Sequence, residues 1–323
     1  MGRFASGSGG KLLCMEEPPA APFLGRDVPA GRLRRWIHDG LVRRVLRGVY
    51  CTSAVADSLE LRVACAALVL PADAVVCDRS AAWLWGIEVQ DPDERHEVPD
   101  LEVAVPPGHE APRRAGLLGC VRDLATTDIT LIAGTPVTTS RRTALDLACR
   151  RGRRQALAVL DAFMRTCGLT HSDLTVGLTR FGRRRGVAQV RELVPLASPL
   201  AESQGESWTR IVILDAGLPA PRPQFEIIES GKVLFRQDLS YPQWRVAVEY
   251  FGEEWHGPDQ EEHDRARLEW LEAHGWHVIV VRKHQFKGAA LEEWLAELAE
   301  VIAERRARPK RRYARRREPW IKR

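Results

Sequence analysis

Residues 236–256 read RQDLSYPQWRVAVEYFGEEWH, and this stretch decides the fold of the last third of the chain. Lys232–Asp238 alternates as a strand does, Ser240-Tyr-Pro-Gln243 has turn composition, and Trp244–Tyr250 reads as a second strand. Antiparallel neighbours joined in this way bring the end of the first strand close to the middle of the second. Asp238 and Glu249 lie eleven positions apart, so they can converge on one divalent cation. Glu249 ends the apolar run Val246-Ala247-Val248, where an unpaired carboxylate is costly to bury. A metal would supply the countercharge, and oxygen-only ligands suit Mg²⁺ or Mn²⁺ better than zinc. The blander alternative makes Asp238 a turn residue and Glu249 an exposed strand end.

Working outward, a helix is expected from Ser203 to Ala216, stopped by Gly217, then strands near 224–229, 232–239 and 245–250. A helix over 259–274 ends at Gly275, Trp276–Val281 reads as a buried strand, and Ala289–Arg306 as an amphipathic helix. Residues 196–304 therefore form an α-β-β-β-α-β-α domain, and Pro195–Ser203 has the composition of a linker.

Upstream, residues 1–22 are Gly-, Ser- and Pro-rich and read as a disordered tail. Residues 23–54 read as a winged-helix-like segment. Pro29–His38 is helical with Leu33, Trp36 and Ile37 on one face, and Leu41–Tyr50 is a short hairpin. Arg32, Arg34, Arg35, Arg43, Arg44 and Arg47 stand against one acid between 31 and 47, a balance suited to phosphate contact. A small helical cap with solvated arginines is the alternative. Residues 55–195 read as a mainly helical α+β middle domain: helices at Leu59–Leu70, Ser80–Trp85, Ser140–Cys149 (Ser140 as N-cap) and Ala156–Met164, strands at Leu101–Val105 and Thr135–Thr138. His96, His109 and His171 read as surface residues, and Arg183–Arg185 as a solvated face. The fold class is mixed α/β.

Residues 305–323 carry eleven Lys or Arg against one Glu, so this basic tail contributes +10 to a net charge of +5 and leaves −5 for the rest. Arg311, Arg312, Arg315 and Arg316, interleaved with Tyr313 and Trp320, make the tail a second candidate for nucleic-acid contact. No apolar run is long enough to span a bilayer, and the N-terminus lacks the apolar core of a secretory signal. Seven cysteines without a C-x-x-C pair fit free thiols in a reducing cytoplasm.

With these elements in place, residues 200–303 resemble the PD-(D/E)xK restriction-endonuclease-like superfamily, in the branch similar to very-short-patch-repair endonucleases. The likeness rests on Glu206, Gln237-Asp238-Leu239, Glu249-Tyr250-Phe251-Gly252 with His256, Asp264-Arg265-Ala-Arg267 and Leu271-Glu-Ala-His-Gly-Trp276. Residues 28–175 resemble the winged-helix and following regions of abortive-infection type IV antitoxin proteins. That likeness rests on Arg47-Gly48-Val49-Tyr50, Asp78-Arg79-Ser80-Ala81-Ala82, and Gly134-Thr-Pro-Val137-Thr138 with Arg142-Thr-Ala-Leu-Asp146.

The first resemblance implies a Mg²⁺- or Mn²⁺-dependent DNA endonuclease: Asp238 and Glu249 hold the metal, with the Phe251 carbonyl as a further ligand. Glu206 assists from its helix, and His256 is a candidate general acid/base, an unperturbed imidazole titrating at about 6.5. Phe251 stands where the superfamily pattern has Lys, and Lys232, Arg236, Arg282 or Lys283 would substitute, Lys283 first. The second resemblance implies a non-catalytic DNA-binding regulator with a degenerate nuclease domain. DNA is the expected partner, RNA the alternative, with a homodimer or a toxin-like protein as the protein partner; no membrane partner is expected.

Overall fold

The computed structural model describes residues 17–89, 100–113, 117–252 and 258–307. Among the described residues it is a mixed α/β structure with three sheets. The chain divides into two compact units, residues 1–147 with 176–180 and residues 148–175 with 181–323.

The first unit opens with β1 (Phe23–Leu24), α1 (Ala30–His38), β2 (Val42–Leu46) and β3 (Val49–Thr52), the strands forming a sheet in the order β1-β3-β2. Trp36 anchors α1 in a cluster with Phe23, Val28 and Val42, and Leu33 packs on its margin. Ile37, expected beside them, is 46% exposed. It follows Trp36 directly, and a 100° step along a nine-residue helix carries it off the narrow buried face. Residues 23–54 hold this small cluster of their own and also contribute to a larger one. Leu46, Val49 and Cys51 share one hydrophobic cluster with Leu61, Leu84, Leu101, Val103 and Val137.

That cluster belongs to a five-stranded sheet of order β6-β5-β4-β8-β7, built from β4 (Val75–Val76), β5 (Leu101–Val105), β6 (Leu117–Val121), β7 (Ile129–Ile132) and β8 (Thr135–Thr138). The expectation of a mainly helical middle region is corrected here. β4 is two residues long and β6 contains Gly119, so neither carries a periodic signal, although both flank the wholly buried β5. Helices α2 (Leu59–Ala67), α3 (Asp78–Leu84) and α4 (Ser140–Arg150) complete this region. The side chain capping α4 is that of Thr139 rather than Ser140, its Oγ1 accepting from the Arg142 amide at 3.3 Å.

The second unit holds α5 (Arg153–Cys167), α7 (Val187–Leu193), α8 (Gln204–Asp215), β9 (Arg222–Glu229), β10 (Lys232–Tyr241), β11 (Val246–Phe251), α9 (Pro258–Ala273), β12 (His277–Arg282) and α10 (Gly288–Ala307). The helix α6 (His171–Leu178) spans the division of the chain. Strands run in the order β12-β11-β10-β9; β9, β10 and β11 are antiparallel neighbours, and β12 returns parallel to β11 after α9. A parallel return requires such a crossover helix. Phe225, Ile227, Ala247, Leu271 and Trp276 fill the core between this sheet and α9.

Two expectations change in this unit. The turn between β10 and β11 begins later than its composition indicates: Ser240 and Tyr241 pair with Ala247 and Val246, leaving Pro242–Arg245 to reverse the chain. Tyr241 is buried and donates its hydroxyl hydrogen to the Pro219 carbonyl at 2.7 Å. The Pro195–Ser203 stretch lies inside the unit instead of separating domains. Its Ser198 amide donates to Asp161, and its Leu196 and Ala201 carbonyls accept from Arg210 and Arg165.

Candidate functional site

The acidic residues singled out in the sequence gather where the first turn of α8 meets β10 and β11. Ser203 caps α8, its Oγ accepting from the Glu206 amide at 3.1 Å, and so fixes Glu206 in the first turn. Gly205 lets the helix approach the sheet: a Cβ there would lie 2.0 Å from the Tyr250 ring. The register that pairs Leu239 with Val248 sets Asp238 across from Glu249. Cross-strand neighbours share a face, and Asp238 Oδ2 accepts from the Tyr250 amide at 2.9 Å.

All three carboxylates are held by the protein. Glu249 is 1% exposed and pairs with Arg267 of α9 at 2.8 Å. The same guanidinium donates to the Arg236 carbonyl at 3.1 Å. Glu206 accepts from Gln224 Nε2 at 2.7 Å and from the Glu202 amide at 2.9 Å. Burial, then the charges of Glu249 and Glu206, push the Asp238 carboxyl up to about 8. Burial also raises Glu249, against the pull of Arg267 and of the Asp238 amide. The alternative of an exposed Glu249 at a strand end is excluded by this burial.

Whether these groups suit a hard cation is decided by what is left unpaired. Glu249 Oε1 and both amide atoms of Gln237 are buried without a hydrogen-bond partner. An unpartnered carboxylate oxygen beside a second carboxyl that burial and neighbouring charges raise is a donor set suited to Mg²⁺ or Mn²⁺, the ion taking the place of the proton. Arg267 already supplies one countercharge, a role the sequence had left to a metal. Among the described residues, no trio from Glu206, Asp238 and Glu249 brings its ligand oxygens within 4.8 Å of one another.

The cations considered as substitutes for the missing Lys take different positions. Arg236 pairs with Glu202 at 2.8 Å, Arg282 lies over the Phe251 ring at 5.6 Å, and Lys232 is exposed at the start of β10. Lys283 opens the turn that follows β12, one residue past Arg282, the register partner of Phe251. His256, Arg311, Arg312, Arg315 and Arg316 lie outside the described residues.

The basic helix presents a second candidate surface. Gly31, Arg34, Arg35 and His38 are all exposed and follow one another at i, i+3, i+4 and i+7, a single stripe along α1. Arg44 is exposed on β2, and neither it nor Arg35 has an ion pair among the described residues. Arg32 is half-buried. Arg43 and Arg47 serve the fold: Arg43 donates to the Val55 carbonyl at 3.1 Å, and Arg47 pairs with Asp100 at 2.9 Å.

Sequence reasoning missed a buried ionic network that absorbs the antitoxin-like motifs. Arg122 donates to both oxygens of Asp78 at 2.9 and 2.7 Å and to Asp146 at 2.7 Å. Arg142 bridges Asp146 and Asp128, and Arg180 joins Asp128 at 2.6 Å. Three arginines thus balance three aspartates, as buried charge requires. The spacing of Arg142 and Asp146, four apart on a helix, was the one signal available.

Residues 74–196 match the family described as the AbiEi antitoxin C-terminal domain, so this part of the chain is antitoxin-like. The chain is 31% identical over 246 residues to the uncharacterized protein Rv2248 of Mycobacterium tuberculosis strain H37Rv, an alignment spanning 76% of this chain and 87% of that protein. The uncharacterized protein MT2308 of strain CDC 1551 gives the same figures. The chain belongs to the family of these two mycobacterial proteins. Among the described residues, no helix is long and apolar enough to cross a membrane.

Proposed function

We propose that this chain is a DNA-binding regulator of the antitoxin type, in which α1 lies against the duplex and the β2–β3 hairpin meets the phosphate backbone. The observation that carries this reading is the exposed stripe of Arg34, Arg35 and His38 on α1, together with the exposed Arg44 on β2. A short helix with its apolar side anchored by Trp36 and its opposite side cationic is built to contact a polyanion. The AbiEi antitoxin match of residues 74–196 supports the same class. A footprint on a defined duplex tests it. The wild type should protect one operator-like site, and Arg34→Ala/Arg35→Ala/Arg44→Ala should lose protection while keeping its fold.

A second reading is favoured by the acidic centre of the other unit, with its unpaired Glu249 oxygen and, beside it, the Asp238 carboxyl raised by burial and like charge, a site that calls for a countercharge. On this reading the unit is a nuclease of the restriction-endonuclease-like class that hydrolyses phosphodiesters in DNA. Asp238 and Glu249 would hold Mg²⁺ or Mn²⁺. When bound, the metal would stabilise negative charge on the phosphoryl oxygens and acidify water. Glu206, oriented by Gln224, would position the attacking water, and Arg267 would keep the Glu249 carboxylate aligned. A plasmid-nicking assay with a chelator control separates the readings. Cleavage lost in Asp238→Ala and Glu249→Ala with DNA binding intact supports hydrolysis; absence of nicking in both metals leaves the regulator alone.

A further inference from the structure

We propose that Cys77, Asp78 and Cys120 form a binding site for a divalent metal ion of the zinc class, separate from both readings above. Among the described residues these three are the group whose ligand atoms all lie within 4.8 Å of one another. Cys77 Sγ lies 3.6 Å from Asp78 Oδ2. A thiolate sulfur and a carboxylate oxygen bound tetrahedrally to zinc at ~2.3 and ~2.0 Å stand about 3.5 Å apart, so the pair is already at ligand spacing.

The fold holds the three residues from separate elements. Cys77 follows β4 and is fixed by its amide, which donates to the Glu102 carbonyl at 3.0 Å. Asp78 opens α3 with φ +50°, a conformation unfavourable for a non-glycine residue that turns its side chain back beside Cys77. Cys120 lies on β6, an edge strand. Cys77 and Asp78 are buried while Cys120 is half-exposed, so the group has a solvent-facing side.

The surroundings complete the site. Arg122 grips both Asp78 oxygens, which fixes the carboxylate as outer-shell partners of metal ligands do. Two thiolates and one carboxylate around a dication carry one net negative charge, which a single guanidinium offsets. Binding replaces the two S–H protons, which pass to the solvent, and no oxidant or reductant is needed. Sulfur ligands select zinc, cobalt or cadmium over Mg²⁺. Three protein ligands leave the fourth position of a tetrahedral ion for water or another donor.

Co²⁺ added to the full-length, reduced and chelator-treated chain tests the proposal. One equivalent should give a thiolate charge-transfer band and the visible bands of tetrahedral cobalt, bleached by zinc. Cys120→Ser should weaken cobalt binding by more than the ~10–100-fold cost of an outer-shell change. Cys149→Ser and Cys167→Ser should leave it intact. Alkylation of the wild type, which needs no variant to fold, should show zinc shielding the half-exposed Cys120 but not the half-exposed Cys167. Absence of the bands, their survival in Cys120→Ser, or shielding at other cysteines overturns the site. DNA footprints and plasmid nicking do not depend on these thiols, so those outcomes stand apart.

Discussion

Asp238 and Glu249 face each other across adjacent antiparallel strands, and the Asp238 carboxylate accepts from the amide of the residue that follows Glu249. One of these acids has a guanidinium beside it, that of Arg267; the other carboxylate is held by a backbone amide. That asymmetry governs how the centre responds to pH, to mutation and to cations.

The pH response follows from linkage. The folded chain raises the Asp238 carboxyl from its ordinary 3.8 to about 8, chiefly through burial. The folded state therefore holds this proton more tightly than the unfolded one. The stability it contributes is complete below about pH 4 and is lost as pH rises through about 8. Asp238→Asn removes this dependence. Denaturant midpoints measured between pH 5 and 8.5 should fall more steeply for the wild type than for the variant, and millimolar Mg²⁺ should recover part of the wild-type loss at high pH. Parallel profiles would exclude a proton-retaining Asp238.

Arg267 is the only cation seen beside Glu249 among the described residues. Arg267→Met strands a fully buried carboxylate, and breaking a buried pair from one side costs about 3–5 kcal/mol. The double variant Arg267→Met/Glu249→Gln should recover most of that loss, because no charge is left uncompensated. Chemical unfolding of the four proteins of this cycle gives the coupling. Additive losses would mean that the pair contributes nothing to the fold.

Gly205 sets the distance between α8 and β11. A methyl group there meets the Tyr250 ring at 2.0 Å, so Gly205→Ala should cost about 1–3 kcal/mol as the helix is pushed away. On a Tyr250→Ala background the same substitution should cost much less. An equal cost in both backgrounds would place the constraint elsewhere.

What could be read in advance depended on how local its cause was. The pairing of Asp238 with Glu249 was legible because a short turn fixes strand register, even though Ser240 and Tyr241 proved to be strand residues. Glu206 was singled out only by the family resemblance; the Ser203 cap that fixes it one turn later is a finding of the structure. The partner of Glu249 was not legible, since Arg267 reaches it from the crossover helix. The network of Arg122, Asp78 and Asp146 joins three segments distant in sequence, which no periodicity reports. Pro195–Ser203 misled by composition: Pro and Ser mark irregular backbone, yet its polar groups are bound by Asp161, Arg165 and Arg210. Of six arginines counted as one basic patch, Arg43 and Arg47 serve the fold, a difference only burial and partners reveal.

The central claim, that α1 and its hairpin bind DNA through Arg34, Arg35 and Arg44, is tested most directly by the salt dependence of duplex binding. Each phosphate contact removed should reduce the slope of log K against log salt by about 0.9. The triple alanine variant should therefore show weaker binding at low salt and a slope shallower by about 2–3. A slope and affinity equal to those of the wild type would contradict the assignment.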